Sequence, residues 1–101
     1  MSNNPLNIIK EKDLKLLAQI EGARELAFKD GKISKKNKLL IAWAIDMAKG
    51  AENGIKALAN QALENGATQE EILETLRIVN YICGVGSTYS ATRGLKNILE
   101  V

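Results

Sequence analysis

A chain of 101 residues has room for one domain and one core. Its apolar (46%) and charged (26%) shares are those of an ordinary globular protein, and its net charge is only +2. It has no histidine and one cysteine, Cys83. That excludes Ser-His-Asp and Cys-His catalysis, His-containing zinc sites, an internal disulfide and a Cys-x-x-Cys redox pair.

Twelve Ala and thirteen Leu against three Val favour helix, because these side chains lose little rotamer freedom there. Five helices are expected. The first spans about Glu11 to Lys29, where Leu16, Ile20, Ala23 and Ala27 recur at helical spacing before an Asp30-Gly31 turn. Ser34 is a cap-type residue for a second helix ending at Lys49, with Leu39, Leu40, Trp43 and Met47 on its apolar face and Gly50 as its stop. The third, Ala51 to Glu64, has the clearest stripe: Ile55, Leu58, Ala59, Ala62 and Leu63. Thr68 and Glu71 form a capping box for the fourth, which is expected to bury Ile72, Leu73, Leu76, Val79 and Cys83 before Gly84-Val85-Gly86 breaks it. A last helix is expected from Ser87 to Leu99. No window alternates long enough for a strand. The reading is an all-α single domain over residues 1–101.

Charge is uneven along the chain. Residues 1–38 carry nine Lys or Arg against five acids, and residues 39–101 carry five against seven. Lys35, Lys36 and Lys38 read as a solvated helix start, and no nucleic-acid partner is expected. The apolar run Leu39 to Ile45 is far short of the roughly 20 residues that cross a bilayer, so no membrane association is expected. Met1 to Leu6 carries no targeting pattern, and a cytoplasmic location is expected. Helices with apolar faces this wide in so short a chain point to a homo-oligomer.

Residues 39–86 resemble the carboxymuconolactone decarboxylase and alkylhydroperoxidase D-like family. The likeness is carried by Leu40-Ile41-Ala42-Trp43-Ala44-Ile45, Ala48, Gly50 and Ile55. It continues through Ala62-Leu63-Glu64-Asn65-Gly66-Ala67-Thr68, Glu70-Glu71-Ile72, and the glycines Gly84 and Gly86. The resemblance implies an all-helical fold in ring-like assemblies such as trimers or hexamers. In the family's peroxidase branch it also implies a Glu, a Cys-x-x-Cys and a His. Here those positions hold Leu39, Ala51, Gly54 and Leu58. Paired thiols at a helix start work because the positive dipole end favours thiolate, one sulfur is oxidised and its neighbour resolves it as a disulfide. None of the four residues present exchanges protons or electrons. The histidine implied for the decarboxylase branch is absent from the whole chain.

The remaining candidates each have a plainer structural reading. Cys83 is the sole thiol; it sits at a negative helix C-terminus between apolar neighbours, so a small core residue is expected. Asp46 projects from nearly the same face as Leu39 and would border the family pocket, either orienting a ligand or held in an ion pair or cap. Glu52 and Asn53 lie in the first turn of the third helix, where an acid complements the dipole. Ser87 and Thr88 follow the glycine break, where an anion site and a simple turn are the two readings. Trp43 reads as a core or interface anchor.

Three functions fit these residues. The first is a family member without the redox site that binds an unidentified small molecule or scaffolds, its pocket walls drawn from Leu39, Trp43, Ala51, Gly54 and Leu58, with Asp46 and Asn53 beside them. The second is an antioxidant, peroxiredoxin-type enzyme that detoxifies peroxide with Cys83. The third is a protein-interaction module. No metal and no cofactor is expected in any of them.

Overall fold

Asp13 divides the first expected helix in two. Its carboxylate accepts a hydrogen bond from Leu16 N (3.1 Å), satisfying a donor that the start of a helix leaves free, while its own backbone is extended. The apolar spacing runs on across this break, which is why periodicity alone joins the two pieces. The computed structural model describes residues 4–99, and among these it has six helices and no strand. They are α1 (Asn7–Lys12), α2 (Leu14–Phe28), α3 (Lys35–Lys49), α4 (Glu52–Glu64), α5 (Gln69–Cys83) and α6 (Val85–Leu95). None is long and apolar enough to cross a membrane.

The other boundaries follow local chemistry. Ser34 Oγ accepts from Asn37 N (3.2 Å) to open α3, and Gly50 closes it in the left-handed conformation. Thr68 and Glu71 form the reciprocal capping box at the head of α5: Glu71 N donates to Thr68 Oγ1 (3.1 Å) and Thr68 N to Glu71 Oε1 (2.9 Å). Gly84 alone, at φ +89°, makes the break before α6. Gly86 lies inside that helix, so α6 starts two residues earlier than expected and ends at Leu95.

One core is built from four helices. Leu39, Trp43 and Met47 of α3 meet Ile55, Ala59 and Ala62 of α4, Ile72 and Val79 of α5, and Ala91 and Leu95 of α6, with Ala67 from the α4–α5 turn. Leu40, Leu58, Leu63 and Leu76 are partly buried against them. Two residues expected inside are not: Leu73 and Cys83 are exposed. Cys83 shares the spacing of Ile72, Leu76 and Val79, but it is the last residue of α5, where the helix has run past the layer that covers its inner face. α1 and α2 bury nothing. α2 is tied to the body by half-buried Phe28 and by Lys38 Nζ, which donates to Lys29 O (2.7 Å).

Lys36 Nζ pairs with Glu71 Oε2 (2.8 Å), joining the first turns of α3 and α5. One groove is lined by Leu40, Ile41 and Ala44 of α3 and by Thr75 and Ile78 of α5, so the two helices run in the same direction. α6 crosses α4 where Gly94 lacks a side chain. A Cβ there would stand 2.5 Å from Ile55 Cγ2 and 2.8 Å from Ile55 Cβ.

Two predictions follow from this packing. Ile55 is fully buried and its branch point cannot move aside. Gly94→Ala should therefore cost about 1–3 kcal/mol in urea unfolding, as overpacking does elsewhere. The second concerns acid. A hydrogen bond from Lys36, then one from the Thr68 backbone, hold the Glu71 carboxyl below its ordinary range. A lowered carboxyl pKa contributes stability that is present above the unfolded-state value and lost as pH falls through the folded-state value. Thermal unfolding should thus lose stability below about pH 4.3, the ordinary Glu value, and Glu71→Gln should flatten that part of the profile while lowering stability at neutral pH.

Candidate functional site

The C-terminal turn of α3, the first turn of α4 and the last two turns of α6 meet at one corner. α3 stops because Gly50 takes the left-handed conformation, and Ala51 N then donates back to Asp46 O (3.0 Å). Ala51 O accepts from Ile55 N (2.8 Å) as α4 begins. This tight return brings position 46 beside position 54. Asp46 Cγ lies 3.0 Å from the point a Cβ on Gly54 would occupy, and Oδ2 is closer still. The carboxylate therefore fills the space that a side chain at 54 would take.

Asp46 is half-buried, and its carboxylate makes no hydrogen bond or ion pair among the described residues. The ion pair or cap expected for it is not formed. Glu52 does have a partner. It is bound by Arg93 Nε from α6, and Arg93 Nη2 also donates to Ser90 Oγ (3.1 Å). Both members of that pair are about half exposed, so its net contribution is about 0–1 kcal/mol. Ser90 Oγ lies 3.6 Å from the position of a Cβ on Gly50, which brings α6 against the same corner.

The other sequence candidates divide between interior and surface. Leu39 and Trp43 are sealed in the core, and Leu58 is half-buried against it. Trp43 Nε1 is buried without a hydrogen-bond partner among the described residues. Ala51 and Asn53 are exposed, and Gly54 is half-buried beneath Asp46. Thr88 is held locally, its Oγ1 donating to Asn80 Oδ1 (2.6 Å). Cys83 is on the surface at the C-terminal end of α5. Among the described residues, no three Cys, Asp or Glu side chains gather as a metal site.

A carboxylate acceptor thus stands where the resemblance implies a thiol. The carboxymuconolactone decarboxylase family model matches residues 15–97. The chain belongs to the carboxymuconolactone decarboxylase family. It is also similar to the crystal structure of an apo carboxymuconolactone decarboxylase family protein from Legionella pneumophila. That likeness has 32% sequence identity and a TM-score of 0.85, over 90% of this chain and 81% of that one. No curated protein matches. The family match begins at Lys15, so it takes in α2, which the sequence likeness of residues 39–86 leaves out.

Arg93 and Ser90 were not legible as members of this corner. They stand 41 and 38 residues from Glu52, and only the spacing of the two along one helix face hinted at a shared role.

Because Asp46 has no partner to give up, Gly54→Ala should displace it into solvent cheaply. The variant should unfold within about 1 kcal/mol of the parent, the helix-propensity gain of Ala offsetting the crowding. A loss as large as that of Gly94→Ala would show instead that Asp46 is fixed.

Proposed function

We propose that this chain is a family member without the redox chemistry. In this reading it is a single helical domain that works as a cytoplasmic homo-oligomer, such as a trimer or hexamer, and binds a small molecule or scaffolds. The observation that carries this is the corner itself. The positions implied for the two thiols hold Ala51 and Gly54, and the Asp46 carboxylate lies over the second of them. Neither residue can donate electrons to peroxide. Restoring a single thiol at 54 would have to expel Asp46 first. What the corner offers is a half-buried carboxylate acceptor without a partner among the described residues, suited to a ligand that presents an N–H or O–H.

One observation favours a second reading: the exposure of Cys83. As a one-cysteine peroxidase, its thiolate would attack the outer peroxide oxygen, breaking the O–O bond to give a sulfenic acid and an alcohol or water. An external thiol would then condense with the sulfenic acid, releasing water and forming a mixed disulfide, and a second thiol would free Cys83.

Peroxide consumption with a dithiol reductant, compared between the parent and Cys83→Ser, separates the two readings. Both proteins should give background rates, although Cys83 should react with a disulfide reagent in the folded protein. Turnover that disappears in Cys83→Ser would replace the first reading with the second.

A further inference from the structure

The longest uncharged stretch of the chain, Ile78 to Thr92, spans the reversal from α5 into α6. Gly84, at φ +89°, turns the chain there, and α6 folds back along α5. Leu73 and Leu76 lie with Thr92 and Leu95 in one cleft, and Thr88 Oγ1 donates to Asn80 Oδ1 (2.6 Å) nearer the turn. The inner side of this hairpin is Ile72 and Val79 on α5 and Ala91 on α6, all in the core. On a helical wheel Tyr81 and Tyr89 fall opposite them, so both tyrosines are on the outer side.

Around these tyrosines the tip of the hairpin is apolar and open. Ile78, Tyr81 and Ile82 are neighbours on α5 at i, i+3 and i+4, and Val85 and Tyr89 are neighbours on α6 at i and i+4. All five are at least 63% exposed, and Tyr81 is 86% exposed. Together they present about 700 Å² to solvent, above the roughly 300–600 Å² of the largest apolar patch on a typical monomer. A stable interface takes about 800 Å² from each partner, so the tip supplies most of one half.

Its chemistry fits a copy of itself. A twofold contact sets a patch against the same patch, so any charge in it would meet its own sign. No residue from 78 to 92 is charged. At the borders, Glu74 and Arg77 on α5 are of opposite sign, and Arg93 on α6 is bound by Glu52. Lys49 falls on the side of α3 away from α5. The polar side chains between the two tyrosines, Asn80 and Thr88, bond to each other.

We propose that the tip of the α5–α6 hairpin is a twofold contact between two copies of this chain. The proposal rests on the homo-oligomeric reading above and goes beyond it by assigning one contact surface and its symmetry. Tyr81 and Tyr89 suit such a surface, because a rigid ring covers a large area while its hydroxyl stays at the wet rim. A hexamer built from two trimers contains twofold contacts, and a trimer alone has none. Cys83 falls nearly opposite Tyr81 on the wheel, outside the patch, and keeps its access to solvent.

The test combines light scattering with cross-linking of the full chain. The parent should scatter as an even-numbered oligomer. Tyr81→Asp, which sets a carboxylate against its own copy, should halve that mass and leave the circular dichroism unchanged. In a Cys83→Ser background, Tyr81→Cys treated with a flexible bis-maleimide should link chains in pairs, because a twofold axis brings the position close to itself. Glu64→Cys in the same background is exposed beside the start of α5, the full length of that helix from the tip, and should stay unlinked. A trimer, a Tyr81→Asp chain of parental mass, Tyr81→Cys chains that stay unlinked, or Glu64→Cys chains that link equally well would overturn this contact and leave the oligomer standing. A monomer would overturn both.

Discussion

The apolar side of α3 is the constraint from which the rest of the structure follows. α2, α4, α5 and α6 all pack on this helix, and Leu39, Trp43 and Met47 are closed from solvent along it. Burying side chains of this size stabilises by about 1.5–3 kcal/mol each. Trp43 sets part of that against a buried Nε1 donor without a partner among the described residues, a group that costs about 1–3 kcal/mol. With its inner face committed to the core, α3 leaves Ile41 and Ile45 facing outward, and α5 leaves Ile78 and Ile82 beside them. The exposed groove is the other side of the same packing decision.

Close approach at the end of α3 depends on small residues. Gly50 permits the reversal of the chain, Gly54 gives room to Asp46, and Gly94 lets α6 reach Ile55. This corner is where the resemblance implies redox residues, and here it holds Ala51, Gly54 and the Asp46 carboxylate. A soft, oxidisable pair would sit at the start of a helix, where the dipole stabilises thiolate. A carboxylate held nearby offers a hard acceptor with no electrons to transfer. The fold depends on the stripe behind the corner, whereas any chemistry depends on the groups at the corner itself, so the family fold does not by itself carry the family chemistry.

Much of the fold was legible in the chain. The all-α class, the α3 and α5 caps at Ser34 and Thr68, the stop at Gly50 and the core stripe Ile55, Ala59 and Ala62 follow from spacing and from donors that a helix end must satisfy. The helix expected over Glu11 to Lys29 is broken because the Asp13 side chain acts as a cap in the middle of a continuing apolar period. Cys83 was misread because spacing reports which side of a helix a residue is on and not whether another element reaches that far along it. For the site, the chain singled out Asp46 with two readings, and the ion pair or cap is not formed because the tight return at Gly50 sets its carboxylate over Gly54 instead.

What the sequence determined by itself was local or subtractive: the helical class, the helix ends at Ser34, Gly50 and Thr68, the family, and the catalytic chemistries excluded by having no histidine and one cysteine. These depend on interactions within a few residues or on composition, so no three-dimensional arrangement is needed to state them. Tertiary structure alone decided that Asp46 covers Gly54, that Arg93 reaches Glu52, and that the α3–α5 groove stays open among the described residues. Those depend on the crossing of helices far apart in sequence, where the fit of side chains across a contact sets distances that periodicity does not contain.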